Sequence, residues 1–278
     1  GSATGLNSTP DWMMSSGQKK CNFGHWVDGA GDVNGDGYDD VVVSALLYES
    51  DSASHNEGRI FVYHGSPSGL SNEVNWYGEI NQAEAQFGYS CAGAGDINND
   101  GFDDVIGGAK YWDNGELDEG GAFVWFGSAA GLETDYCFSA EGNQDAGYFG
   151  RHVGGDADFN NDGRLDILLL SQDNPTDKPE LFKQNVNGTF TKVPGGDLAI
   201  DLAEYFSSSW ADYDNDGWKD LYVVAYGRNL LFQNQGANGF HNVTDLAGVG
   251  DAGRGLTFLL ICVKRMALAV QSKYLWRQ

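Results

Sequence analysis

Basic residues are scarce in this chain. Its 278 residues include 16 Lys and Arg against 40 Asp and Glu, for a formal net charge of −24. Phosphate recognition needs basic patches, so neither nucleic acid nor an anionic membrane surface is an expected partner. Long apolar runs are also missing. Leu256–Val270 comes nearest, but Lys264-Arg265 interrupts it and it is too short to span a bilayer, so membrane insertion is not expected. The four cysteines, Cys21, Cys91, Cys137 and Cys262, form no C-x-x-C pair and give no zinc signature. In an oxidising compartment two of the first three can pair; buried free thiols are the other reading. No G-x-S-x-G element occurs. His25 and His152 stand apart from any His or Cys cluster and read as strand-edge histidines. Nothing here assembles a catalytic constellation, so the chain is not expected to be an enzyme.

Glycine, aromatics and aspartate are plentiful, with 40 glycines and 13% aromatic residues, enough for a substantial core. The aspartates are patterned. Asp32-Val33-Asn34-Gly35-Asp36-Gly37-Tyr38-Asp39-Asp40 puts oxygen side chains at positions 1, 3, 5 and 9 of a loop, with glycine at position 6. The pattern returns as Asp96, Asn98, Asp100, Gly101, Asp104, then as Asp158, Asn160, Asp162, Gly163, Asp166. A fourth copy is Asp212, Asp214, Asp216, Gly217, Asp220.

This spacing suits a hard cation. Calcium takes six to eight oxygen ligands at about 2.3–2.6 Å in a flexible cage, whereas magnesium demands stricter geometry. Alternate residues of a tight loop can point inward. Position 7 can contribute its main-chain carbonyl whatever its side chain, which makes Tyr38, Phe102, Arg164 and Trp218 candidate ligands. Glycine at position 6 supplies the positive φ that the turn requires. About four calcium ions are expected, one per loop. Acidic Asx-turns without an ion are the competing reading, since Asp, Asn and Gly favour turns in any case. Turn propensity alone does not call for Asp at position 9.

The loops are not EF-hands. Position 12, where an EF-hand needs an acidic residue, is Val43, Gly107, Leu169 and Val223. Each loop is followed by a short apolar run, for example Val41-Val42-Val43 or Leu221-Tyr222-Val223-Val224, of strand length and composition. The loops therefore join strands.

A repeat frames them. Gly1-Ser2-Ala3-Thr4-Gly5-Leu6 returns as Gly65-Ser66-Pro67-Ser68-Gly69-Leu70 and as Gly127-Ser128-Ala129-Ala130-Gly131-Leu132. Phe-Gly recurs at Phe23-Gly24, Phe87-Gly88 and Phe149-Gly150. One unit is about sixty residues, and the N-terminus already lies inside its register. Each unit reads as four strands, for example His25–Ala30, Val41–Val43, Arg59–His64 and Val74–Tyr77, which is the pattern of a propeller blade. Trp76, Tyr77, Trp125 and Trp210 read as blade core.

Phe23-Gly24 with Gly29-Ala30-Gly31-Asp32, and Phe87-Gly88 with Gly93-Ala94-Gly95-Asp96, each followed by the acidic loop, resemble the FG-GAP repeat of integrin α-subunit propellers and their bacterial relatives. Phe149-Gly150 with Gly154-Gly155-Asp156 is a looser copy. The resemblance implies an all-β propeller of four-stranded blades, four to five in this chain, either as a ring of its own or as a fragment of a seven-bladed ring. The calcium loops would join the first and second strands of each blade. Residues 1–170 carry the FG-GAP pattern. Residues 171–255, with Asn187-Gly188-Thr189-Phe190 and Asn238-Gly239-Phe240, resemble the related VCBS-type repeat of the same domain.

Residues 256–278 form an atypical basic tail without Asp or Glu, read as a cap, a basic anchor or a reading-frame accident. The function implied is a secreted or cell-surface module for protein binding and cell adhesion. A carbohydrate-binding propeller, or a non-catalytic propeller attached to a secreted enzyme, is the alternative. The expected partner is an extracellular protein or glycan, with self-association if the ring is incomplete, because open sheet edges invite pairing. Asn7, Asn187 and Asn242 lie in glycosylation acceptor triplets that matter only in a eukaryotic secretory setting.

Overall fold

The computed structural model describes residues 8–51, 55–142, 145–170, 180–186, 189–194, 196–198, 205–225 and 228–250. The first copy of the Gly-Ser-x-x-Gly-Leu turn, Asn187, Cys262 and the basic tail lie outside the described residues.

Sixteen strands form four antiparallel sheets of four. Blade 1 comprises β1 (Phe23–Gly31), β2 (Asp40–Ala45), β3 (Arg59–Tyr63) and β4 (Trp76–Gly78). Blade 2 comprises β5 (Phe87–Gly95), β6 (Asp104–Ala109), β7 (Gly121–Trp125) and β8 (Phe138–Glu141). Blade 3 comprises β9 (His152–Ala157), β10 (Asp166–Leu170), β11 (Glu180–Gln184) and β12 (Phe190–Val193). Blade 4 comprises β13 (Tyr205–Ala211), β14 (Asp220–Ala225), β15 (Leu230–Asn234) and β16 (Phe240–Asn242). In every sheet the strands pair in sequence order. Each acidic loop joins the first strand to the second, as its flanking residues require. Among the described residues the one α-helical turn is α1 (Thr244–Ala247), and no helix is long and apolar enough to cross a membrane.

The second and third strands read as continuous apolar runs because both of their faces are covered. Val42, Ile60, Val62, Phe87, Val105, Phe123 and Trp125 form one cluster between blades 1 and 2. Ile106, Val124, Phe149, Val153, Ile167 and Leu169 fill the next interface. Leu168, Leu181, Leu221, Val223, Phe232 and Phe240 fill the third. Consecutive blades thus share a core, and the inner strands β1, β5, β9 and β13 succeed one another along the inside.

Two repeated motifs acquire a steric reason. Inner strands approach so closely that a Cβ on Gly93 would fall 2.6 Å from the Gly29 carbonyl oxygen, and one on Gly155 2.6 Å from the Ala94 Cα. The Gly-Ala-Gly-Asp element therefore needs its glycines. The Phe-Gly pair seats one blade on the one before it. The Phe87 amide donates to the Glu57 carbonyl at 2.8 Å and Phe149 does the same to Glu119 at 2.9 Å, while both rings are buried.

One expectation needs correcting and another needs completing. Tyr77 is not core: β4 is a short outer strand, and the residue is 53% exposed with the Arg59 guanidinium 4.1 Å from its ring centroid. His152 does stand at the start of β9, the edge strand of its sheet, but it is buried there. It opens an inner strand and is 5% exposed, because the neighbouring blade covers it. Of the other aromatics, Trp125 is fully buried and Trp76 packs edge-on against it with centroids 5.6 Å apart. Cys21, Cys91 and Cys137 are unpaired.

Candidate metal centre

Each loop curls around its own side-chain oxygens. In loop 1, Asp32 Oδ1 accepts the Asp36 amide at 3.0 Å and Oδ2 accepts the Gly37 amide at 2.8 Å. Asn34 Oδ1 accepts the same Asp36 amide at 2.9 Å, and Asp36 Oδ1 accepts that of Tyr38 at 3.0 Å. Loop 2 repeats the set through Asp96, Asn98 and Asp100 at 2.9–3.0 Å. These bonds hold positions 1, 3 and 5 on one concave side. The position 6 glycines have φ between 83° and 95° (Gly163 and Gly101), as the turn requires. Position 4 is also left-handed, through Gly35, Asn99, Asn161 and Asn215. That requirement was visible in the sequence as an unbroken Gly/Asn column.

Loop 4 brings three carboxylates together. One oxygen each from Asp212, Asp214 and Asp216 lie within 4.8 Å of one another. Asp214 Oδ1 is buried and has no hydrogen-bond partner, while Oδ2 accepts from Gln233 Nε2 at 2.5 Å. A buried carboxylate oxygen without a donor is costly. An orphaned oxygen amid two further carboxylates is the arrangement a hard cation relieves, so the residues fit the ion that the spacing implies.

Loop 3 is different. Its position 5 carboxylate, Asp162, is paired with the Arg164 guanidinium and lies 3.4 Å from Lys183 Nζ. Asn160 turns its amide nitrogen toward Asp166 Oδ2 at 3.0 Å. Position 7 is occupied here by the one basic residue of the four, and its side chain folds back on the site.

Position 9 has a role that loop spacing did not reveal. Asp40, Asp104, Asp166 and Asp220 are all buried, and each binds two backbone amides. One oxygen accepts the position 2 amide, from Val33, Ile97, Phe159 or Tyr213, at 2.9–3.1 Å. The other accepts an amide just beyond or at the end of the third strand, from Gly65, Gly127, Gln184 or Asn234, at 2.7–2.9 Å. Each carboxylate thus staples its loop to the third strand of its own blade. The Gly-Ser-x-x-Gly-Leu turn was the available signal, since its first glycine donates one of these bonds. A Cβ on Gly127 would fall 2.3 Å from the Asp103 carbonyl oxygen. Burial outweighs these amides and raises the position 9 carboxyls, Asp104 and Asp166 to about 7 and Asp220 to about 6. Asp40 is raised for the same reason.

The inner strands border a cleft of about 750 Å³ lined by Trp26, Asp28, His152, Ser207, Ser209 and Lys219 among others. The Trp26 ring lies 5.3 Å from that of His152. His152 Nε2 accepts the Ser208 amide at 3.1 Å, so the neutral ring carries its proton on Nδ1. That Nδ1 and the Trp210 Nε1 are buried without partners. Burial lowers the His152 pKa to about 4.

A family model described as an FG-GAP-like repeat matches residues 30–107 and 158–223. Integrin alpha-4 of Xenopus laevis is 33% identical over 166 residues, which cover 56% of this chain and 15% of that protein. Integrin alpha-6 of Homo sapiens is 29% identical over 177 residues, covering 62% of this chain and 14% of that protein. Integrin alpha-5 of Xenopus laevis is 28% identical over 171 residues. The chain thus spans about one seventh of the length of the curated relatives it matches.

Proposed function

Because the chain belongs to the FG-GAP-like repeat family, we propose that it is a calcium-stabilised, non-catalytic propeller module that binds an extracellular protein ligand at a cell surface or after secretion. The orphaned Asp214 Oδ1 carries the cation part of this reading. The similarity to integrin α-subunits supports the adhesion part. Asp, Asn and Asp at positions 1, 3 and 5, the position 7 carbonyl and the position 9 aspartate would hold one ion per loop. A bound ion supplies the positive charge that crowded carboxylates otherwise lack. The protein's own residues do the rest: amides of positions 5, 6 and 7 orient the ligand oxygens, and the position 9 aspartate ties the loop to β3, β7, β11 or β15. Loops fixed in this way present a constant surface, which recognition by loops requires.

A second reading rests on the inner cleft. An aromatic wall at Trp26 and the hydroxyls of Ser207 and Ser209 suit a glycan. The VCBS-type subtype of the C-terminal blades belongs to the proposal as well. One experiment separates the readings: the chain is applied to arrays of purified matrix proteins and of glycans, in calcium and in excess chelator. Calcium-dependent capture on protein spots supports the main reading, and glycan spots alone support the second. Capture indifferent to chelator rejects the role given to calcium.

A further inference from the structure

Neighbouring acidic loops touch, but not uniformly. Asp103, at position 8 of loop 2, reaches into loop 1. Its Oδ2 accepts the Asp32 amide at 2.7 Å, and its own amide donates to the Asp32 carbonyl at 3.1 Å. Asp32 is the first ligand position of loop 1, so loop 2 fixes its main chain on both sides of its Cα. Two further contacts reinforce this. The Ser128 amide donates to the Val33 carbonyl at 3.2 Å. The Phe102 ring covers Gly35, where a Cβ would come within 2.5 Å of it. Gly31 leaves room for the Asp103 carboxylate, which lies 2.1 Å from where a Cβ would stand.

Loops 3 and 4 are joined by different atoms. Asn161 Nδ2 donates to the Gly217 carbonyl at 3.0 Å, and Asn234 Nδ2 donates to the Phe159 carbonyl at 2.6 Å. Between loops 2 and 3 no hydrogen bond is present among the described residues. Position 8 of loop 3 is Leu165, which packs against the apolar cluster containing Ile97 and has no oxygen to offer.

We propose that the loops take up cations as two coupled pairs, loop 1 with loop 2 and loop 3 with loop 4, with Asp103 the positioning residue that ties loop 1 to loop 2. This rests on the calcium reading above. Ordering loop 2 around an ion fixes Asp103, and a fixed Asp103 holds Asp32 where loop 1 needs it. Part of the ordering cost of loop 1 is then met beforehand, which is positive coupling between sites.

The test is a calcium titration of the full chain labelled with 15N-glycine. The position 6 amides of Gly37, Gly101, Gly163 and Gly217 each donate to the first aspartate of their loop and report it separately. Asp96→Asn weakens loop 2 directly and should raise the Gly37 midpoint. Asp103→Ala should raise the Gly37 midpoint about ten-fold or more, the value of a lost hydrogen bond to a carboxylate, and leave Gly163 and Gly217 in place. On the Asp103→Ala background, Asp96→Asn should add nothing at Gly37. Asp103→Asn keeps a carbonyl oxygen for the Asp32 amide and should restore the coupling. If Gly37 ignores Asp96→Asn in the parent chain, the coupling is wrong although calcium binds. If no glycine amide moves with calcium, the calcium reading fails and the coupling with it.

Discussion

Asp104 Oδ1 accepts the Gly127 amide at 2.7 Å while Asp104 Oδ2 accepts the Ile97 amide at 2.9 Å. One buried carboxylate therefore closes both the acidic loop and the third-strand turn of blade 2. Removing it strands two buried N–H groups. Asp104→Ala should cost on the order of 3 kcal/mol, from the desolvation of unsatisfied donors. The loss should persist in excess chelator when read by urea denaturation. A loss that vanished in chelator would show that Asp104 acts only through the ion.

Phe87 tests the joint between blades. The ring is fully buried and packs near Phe123 and Trp125. Phe87→Ala should cost about 3–5 kcal/mol, the usual range for a core phenylalanine. Phe23 holds the same place in the repeat but is only partly buried, against Phe61. Phe23→Ala should therefore cost clearly less in the same denaturation series. Equal losses would contradict the joint.

His152 predicts a pH dependence. Its folded pKa is lowered from 6.5 to about 4 by burial. The folded protein holds it neutral while the unfolded chain protonates it below pH 6.5. Its contribution is full above that pH and lost as pH falls toward 4, a loss of about 3 kcal/mol at the lower end. Between pH 6.5 and 4 the stability of a His152→Gln variant relative to the parent should shift in the variant's favour by up to about 3 kcal/mol, measured by denaturant midpoints, whatever the raised Asp104, Asp166 and Asp220 carboxyls contribute to both. Parallel curves would count against the assignment.

The loops should differ in affinity. Loop 4 carries an orphaned carboxylate oxygen, whereas loop 3 has Asp162 already paired with Arg164 and Lys183. Calorimetry should find loop 4 among the tighter sites and loop 3 the weakest. Arg164→Ala should tighten loop 3 by up to about five-fold, the worth of a partly exposed ion pair. A weaker loop 3 in that variant would mean that Arg164 supports the site.

Calcium removal should lower the melting temperature, because empty loops leave like charges crowded around buried position 9 aspartates. Excess chelator in a scanning calorimeter checks this. An unchanged melt would remove the structural role given to the ions.

The loops and the four-strand blades were legible because their signals are local: oxygen residues at fixed offsets, and apolar runs bounded by glycine. The double use of Asp104 was not, since its partner at Gly127 is a backbone amide 23 residues away and carries no side-chain signature. The burial of His152 depends on Ser208, 56 residues on and in another blade. Tyr77 misled because a three-residue outer strand leaves about half of the residue in water. The pairing of Asp162 in loop 3 was present as Arg164, but position 7 was read for its carbonyl and not for where its side chain returns.

The two kinds of fastening divide the labour in a way that bears on descent and on engineering. Asp40–Gly65, Asp104–Gly127, Asp166–Gln184 and Asp220–Asn234 are clasps internal to one unit. Phe87 and Phe149 are plugs that a unit inserts into its predecessor. A gene segment encoding one unit can therefore be duplicated, excised or transplanted whole, each copy bringing its own clasp and its own plug. The natural seam for such cutting, and for new termini in a permuted chain, lies between Gly78 and Phe87, where no clasp is severed.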